Sequence, residues 1–284
     1  MSGTLYVVAT PIGNLEDITL RALRILREVD VIAAEDTRRT ARLLGHHGIS
    51  TRTLSFHEHN TRSRLPQLVS RLVAGESVAI VTDAGTPGVS DPGLELVQAA
   101  IERGISVDPI PGAAAPLAAL IASGFALIPF SVYGFPPSGA KARERWLADV
   151  ALMPHTFSFF EAPHRIVETL RASAFVFGDR PICVARELTK LHQEFIRGTA
   201  SHLADILNEP RGEFTIVVGP ADNSMLDSDI LLTDAEIVKR FWQSTESGQA
   251  TRRQIVTMLA RQSGRTAKDV YAVIELAKKS GVQP

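Results

Sequence analysis

The chain has 284 residues, 45% apolar and 21% charged, with 30 basic against 31 acidic side chains. That composition excludes a disordered or fibrous protein and leaves room for two or three domains. The net charge of -1 hides an asymmetry, because residues 230–284 carry nine Lys or Arg and five Asp or Glu, an excess of four positive charges. A basic tail on an acidic body points toward nucleic acid, and equally describes a solvated helical surface.

The single cysteine, Cys183, lies in the apolar run Pro181–Ala185 and reads as a buried, inert thiol. The start Met1-Ser2-Gly3-Thr4 has no basic segment ahead of an apolar one, so a secretory signal is not expected and a reducing cytoplasm fits. No charge falls between Asp108 and Lys141, but Pro116, Gly124, Pro129, Gly134, Pro136 and Pro137 break that stretch, and no membrane span is expected.

Along the chain, short apolar runs recur at Leu5–Ala9, Val29–Ala34, Val78–Val81 and Val107–Ile110. They are strand-length and do not alternate, as strands buried on both faces of a parallel sheet require. Helical spacing separates them: Asp17 is the expected cap of a helix carrying Ile18, Ala22, Ile25, Leu26 and Val29, and Leu94, Val97 and Ile101 follow Pro92-Gly93. From Phe130 to Gly219 the strand candidates Phe157–Phe160, Ile182–Ala185 and Phe214–Val218 lie closer together, which predicts fewer helices and an α+β second domain. Residues 221–229 are polar and read as a linker. Three helices are then expected at Asp234–Thr245, Thr251–Gln262 and Thr266–Lys279, with Thr233 and Thr266 among their caps. They form a compact trihelical unit of helix-turn-helix type. The expected domains are therefore 1–122, 123–222 and 230–284.

Ligands of open α/β sheets bind beyond the carboxyl ends of the strands. Here those ends carry Thr10-Pro11-Ile12-Gly13-Asn14, Glu35-Asp36-Thr37-Arg38, Asp83 through Gly93, and Pro111-Gly112-Ala113-Ala114-Ala115, which are expected to converge. Gly85 and Gly88 permit positive φ or close backbone approach, while Ser90-Asp91 can cap the next helix. There is no G-x-G-x-x-G after the first strand, no G-x-x-x-x-G-K-[ST], no H-E-x-x-H and no paired C-x-x-C. Dinucleotides, nucleoside triphosphates bound in the usual way and structural zinc are disfavoured. His57-Glu58-His59 lacks further metal ligands nearby, so no metal is expected.

Taken as a set, Thr10–Thr19, Ala34–Arg38, Thr82–Gly93, Phe160–Arg165, Arg186–Lys190 and Gly212–Phe214 resemble the motifs of the ribosomal RNA small subunit methyltransferase I family. That family lies in the tetrapyrrole methylase superfamily, and the resemblance runs from about residue 4 to 220, with the helical tail matching as well. It implies a two-lobed α/β fold with S-adenosyl-L-methionine between the lobes, commonly as a homodimer. It also implies 2'-O-methylation of a cytidine in the decoding region of 16S rRNA on the small ribosomal subunit. By the same resemblance Pro11, Ile12, Gly13, Asp83, Gly85, Thr86, Val89, Ala114 and Ala115 line the cofactor, with Phe160, Glu161, Leu188 and Thr215 closing from the second lobe. Ala113-Ala114-Ala115 departs from the family's frequent Pro-Ser-Ala, so contacts at that turn must come from the backbone.

Methyl transfer to a ribose hydroxyl needs in-line alignment and a charge or base that favours the developing alkoxide. The candidate catalytic groups are Lys190 or Arg165 at the hydroxyl, with Glu35 and Glu187 orienting the cation; structural ion pairs that orient loops are the competing reading for Glu187 with Lys190, as for Asp36 with Arg38. His59, Asn60 and Arg62 on one loop, with Arg252, Arg253 and Arg265 in the tail, are the candidate RNA contacts. A small-molecule tetrapyrrole or corrin methylase would share the cofactor loops without needing a basic tail. A non-enzymatic nucleic-acid-binding regulator would leave the strand-end carboxylates and glycine loops unexplained.

Overall fold

The computed structural model describes residues 3–88, 93–207, 210–221, 232–246 and 251–279. The chain divides into two compact units, one of Met1–Ala122 with Arg186–Glu194 and the other of Ser123–Ala185 with Phe195–Pro284.

The first unit alternates strands and helices in chain order: β1 (Thr4–Val8), α1 (Leu20–Glu28), β2 (Val31–Ala34), α2 (Thr37–His46), β3 (Thr53–Ser55), α3 (Thr61–Val73), β4 (Val78–Val81), α4 (Gly93–Ile101), β5 (Ser106–Ile110) and α5 (Ala115–Ser123). Its sheet has the order β3-β2-β4-β1-β5, and every neighbouring pair is parallel. Alternate residues of each strand feed opposite cores. Leu5, Val31, Ala33, Val78 and Ile80 pack with Leu68 and Leu72 of α3 and Leu96 of α4. Val8, Ile32, Ala34, Ala79 and Val81 pack with Ile25 and Leu26 of α1 and Leu44 of α2. Helices on both faces explain why the central strands β2 and β4 are apolar at every position.

Two details of this unit depart from the sequence pattern. Asp17 does not cap α1: Asn14 Oδ1 accepts the Glu16 N–H and closes a short 3-10 turn at Leu15–Asp17, and Thr19 Oγ1 then accepts the Ala22 N–H as the true cap. Val29 sits past the helix in extended backbone, and β2 begins only at Val31.

The second unit holds β6 (Phe130–Val132), α6 (Ala140–Ala151), β7 (Thr156–Glu161), α7 (Ile166–Phe177), β8 (Ile182–Arg186), β9 (Glu194–Gly198), α8 (Ala200–Ile206) and β10 (Phe214–Val218). The sheet order is β6-β7-β10-β8-β9, parallel at β6/β7 and antiparallel at β7/β10. The α+β character is as the sequence implies, and against five helices in the first unit this sheet is covered by three among the described residues, α6, α7 and α8. Their Leu147, Val150, Leu170 and Leu203 cover Phe157, Phe159, Val184 and Ile216 in one core.

The same unit ends in α9 (Asp234–Glu246), α10 (Arg252–Gln262) and α11 (Ala267–Lys279), around Ile237, Phe241, Ile255, Leu259, Val270 and Ile274. Thr233 and Glu236 exchange hydrogen bonds ahead of α9, and Thr266 and Asp269 do the same ahead of α11, two capping boxes that fix these starts. The linker expected at 221–229 lies outside the described residues from position 222 onward. No helix among the described residues is long and apolar enough to cross a membrane.

Candidate active site

A parallel sheet delivers all its carboxyl ends to one edge, and in the first unit that edge gathers the sequence-predicted loops. Thr10 and Gly85 exchange backbone hydrogen bonds of 2.9 and 3.0 Å, joining the turn after β1 to the turn after β4. Thr10 Oγ1 also donates to the Thr82 carbonyl at 3.1 Å. Gly85 takes φ +87°, and a β-carbon there would stand at ordinary contact distance, 3.6 Å from Ile12 Cγ2 and 3.8 Å from the Ala113 carbonyl. Thr86 Oγ1 donates to that same Ala113 carbonyl at 3.3 Å, which ties the β4 turn to the chain entering α5. Pro11, Ile12, Gly13, Gly85, Thr86, Ala114 and Ala115 thus belong to one cluster. Val89, expected with them, lies outside the described residues, as do Ser90 and Asp91.

Carboxylates gather beside this turn. Asp83 Oδ1 accepts the Asp36 N–H at 3.0 Å, Glu35 Oε2 accepts the Asp83 N–H at 3.1 Å, and Arg39 Nη1 stands 3.4 Å from Asp83 Oδ2. Burial, then the neighbouring Glu35 charge, raises the Asp83 carboxyl above its usual range. Asp36 moves the opposite way, to about 2, because the Arg38 side chain and backbone donate to it. Its Oδ1 caps α2 through the Arg38 N–H at 2.8 Å.

A segment from far along the chain completes the cluster. Arg186–Glu194 follows β8 yet belongs to the first unit. Thr189 Oγ1 accepts the Asn14 N–H at 3.0 Å, and Lys190 Nζ lies 2.8 Å from Glu187 Oε1. Leu188 is buried. Sequence reasoning named Gly13, Glu187, Leu188 and Lys190 but missed Asn14 and Thr189, whose only signal was their place inside two of the motifs.

In the second unit the predicted Phe160, Glu161 and Thr215 sit on β7 and β10, where Thr215 pairs with Phe160 and Phe214 with Glu161. Glu161 is 2% exposed. Its Oε1 accepts from Arg165 Nε at 2.7 Å and from the Ala162 N–H at 2.8 Å, and its Oε2 from Thr169 Oγ1 at 2.6 Å. Both carboxylate oxygens are thus engaged within the unit, and the Glu161 side chain holds Arg165, which also donates to the Pro136 carbonyl at 3.1 Å. Phe160 stacks at a tilt against Phe135, 5.3 Å between ring centres.

The candidate RNA contacts fall in two places. His59 and Arg62 are exposed at the start of α3, whereas the Asn60 amide is engaged locally, accepting the His57 N–H and donating to Ser55. Arg252 and Arg253 are exposed in the first turn of α10, and Arg265 pairs with Asp234. Among the described residues no group of three or more His, Cys, Asp or Glu is arranged to hold a metal.

Residues 4–204 match the profile of the tetrapyrrole (corrin/porphyrin) methylases. The curated protein "Ribosomal RNA small subunit methyltransferase I" of Bacillus subtilis is 43% identical over 271 residues, 95% of this chain and 93% of the relative. The protein of the same name from Streptococcus pyogenes serotype M3 is 44% identical over 260 residues, 90% of each chain. The chain belongs to this methyltransferase family within the tetrapyrrole methylases. Among solved structures the methylase resembles uroporphyrin-III C-methyl transferase from Thermus thermophilus in complex with S-adenyl homocysteine, with a TM-score of 0.56 and 20% identity over 76% of this chain and 97% of that one. That likeness is one of fold, and it agrees with the two-sheet α/β architecture read from the sequence.

Proposed function

We propose that this methylase transfers a methyl group from S-adenosyl-L-methionine to the 2'-hydroxyl of a cytidine in the decoding region of 16S rRNA. The observation that carries the reading is the convergence of Thr10–Asn14, Glu35–Asp36, Asp83–Thr86, Ala113–Ala115 and Glu187–Lys190 at one edge of the first sheet, in a chain over 40% identical to rRNA methyltransferases along most of its length.

The residues present fit such a cofactor. Asp83 and Glu35 put negative charge beside the Thr10–Gly85 turn, which complements a cationic sulfonium and amino group. When bound, S-adenosyl-L-methionine supplies an electrophilic methyl carbon. The chain's own residues have to align the ribose oxygen with that carbon and keep water away, which is a task of positioning. Lys190, kept in place by Glu187, is the cation offered to the ribose oxygen, where it favours the alkoxide over the neutral hydroxyl. Arg165, fixed by Glu161 within the second unit, is the alternative to Lys190 in this role. The exposed Arg252 and Arg253, with His59 and Arg62, supply phosphate contacts that set register without reading sequence.

The test is transfer of a labelled methyl group to 30S subunits and to naked 16S rRNA, followed by nuclease mapping of the product. Label in one 2'-O-methylcytidine of the decoding region is expected. Label on a tetrapyrrole but on neither RNA, with removal of residues 230–284 leaving that activity intact, would instead identify a small-molecule methylase.

A further inference from the structure

We propose that Thr189 is a positioning residue for methyl transfer: its hydroxyl latches the Glu187–Lys190 turn onto the backbone that follows β1. The inference rests on the function proposed above and adds to it a residue with no part in binding or chemistry of its own.

The turn is held in an unusual way. Glu187 and Thr189 both have positive φ, 50° and 64°, although neither is glycine. For a β-branched threonine this is an outlier, because Cβ is pressed toward its own carbonyl. Asn or Gly would adopt the same backbone with less strain. What threonine adds is the hydroxyl, which accepts the Asn14 N–H at 3.0 Å across 175 positions of sequence. Local bonds brace the turn around it: the Thr189 N–H donates to Gln193 Oε1 at 2.7 Å, the Lys190 N–H to the Glu187 carbonyl at 3.0 Å, and the Gln193 N–H to the Lys190 carbonyl at 3.1 Å.

The other half of the latch is Gly13. A β-carbon there would lie 2.5 Å from Lys190 Cγ, 2.7 Å from the Leu188 carbonyl oxygen and 2.8 Å from Thr189 Oγ1, all closer than real contacts. The absence of a side chain at Gly13 is therefore what lets the stem of Lys190 lie on the β1 turn. The close fit fixes the origin of the Lys190 side chain, and the Thr189 bond fixes the register of the two segments. A strained residue retained where an unstrained one would serve the backbone equally well marks a position whose side chain is in use.

The test compares Thr189→Val, which keeps shape and loses the acceptor, with Thr189→Ser, which keeps the acceptor. The readouts are single-turnover methylation of 30S subunits and calorimetric binding of S-adenosyl-L-methionine. The expected result is a rate at least about tenfold lower for Thr189→Val, cofactor affinity within about twofold of the parent, and near-parent rates for Thr189→Ser. In a Lys190→Ala background, Thr189→Val is expected to add nothing, since the latch has no other work to do. Thr189→Gly, which relieves the backbone, should melt no lower than the parent and yet be as slow as Thr189→Val; it also serves if the valine variant does not fold. Parent-like rates in Thr189→Val or Thr189→Gly, or losses that multiply with Lys190→Ala, would overturn the latch while leaving the function intact. A parent chain that methylates no 30S subunit would overturn the functional reading, and the latch's role with it.

Discussion

The two sheets handle charge differently, and the difference follows from strand direction. In the first unit every strand runs the same way, so carboxylates that follow separate strands, Glu35, Asp36 and Asp83, arrive at one edge and stay partly open there. In the second unit β7 and β10 run antiparallel, and Glu161 at the end of β7 is buried beneath Arg165 and Thr169. Carboxylates crowded at a partly open edge stay within reach of a ligand, whereas a carboxylate 2% exposed and satisfied from within its own unit does not. The first cluster should therefore report on activity and the second on stability.

The largest effect that would break this contrast is at Glu161. Glu161→Ala leaves the Arg165 guanidinium without its counter-charge and the buried Thr169 hydroxyl without its acceptor, and is expected to lower unfolding free energy by about 3–5 kcal/mol in urea titration. A variant as stable as the parent that had merely lost cofactor affinity would return Glu161 to the ligand side.

Next in size is Arg180, a buried cation of the second unit held by backbone carbonyls. Its Nε donates to Gly219 at 2.7 Å, Nη2 to His155 at 2.8 Å and Nη1 to Ala151 at 3.3 Å, and its guanidinium lies 5.1 Å from the Phe157 ring centre. Burial pulls its pKa down to about 10, which still leaves it charged at neutral pH. Arg180→Met leaves the carbonyls unpaired, and a loss of about 2–3 kcal/mol is expected by the same titration.

Asp83 sharpens the contrast from the other side. Its carboxyl is raised in the folded state by burial and by Glu35, so its stabilising contribution is present below the unfolded value of 3.8 and is lost as pH rises through the raised folded value. Asp83→Asn removes that loss and keeps an acceptor for the Asp36 N–H. The variant is expected to melt no lower than the parent at pH 7 while methyl transfer falls about tenfold, equivalent to about 1.4 kcal/mol of barrier. Thermal melts and single-turnover rates on one preparation check both halves.

Much of this was legible in the amino-acid order, for identifiable reasons. Val78–Val81 could be read as a doubly covered strand because both faces of a parallel strand select apolar residues, and α9 and α11 could be placed because Thr233 and Thr266 carry their cap partners three positions on. The convergence of Thr10–Asn14 with Asp83–Thr86 followed from sheet direction alone. What stayed hidden depends on distance in the chain or on choice between near-equal neighbours. Asn14 and Thr19, not Asp17, make the caps, since these three polar residues within one short stretch were each competent. The docking of Thr189 on Asn14 needs the fold before it exists. Nor does a Glu–Ala–Pro–His–Arg string reveal that Glu161 turns inward onto Arg165 and Thr169.

The smallest expected effect concerns Asp36, the carboxylate of the first cluster that caps a helix. Asp36 is held at about 2 by the Arg38 side chain and backbone, so its contribution is present above the unfolded value of 3.8 and is lost as pH falls from there toward about 2. Asn is as good a cap as Asp, so Asp36→Asn preserves the start of α2 and removes only the charge. Urea midpoints of parent and variant should differ at pH 6 and converge by about pH 2, with Asp36 supplying the slope of that difference. A variant that matched the parent at every pH would mean that the exposed Arg38 adds no stability through this pair, and that Asp36, like Asp83, is retained for the ligand edge rather than for the helix it caps.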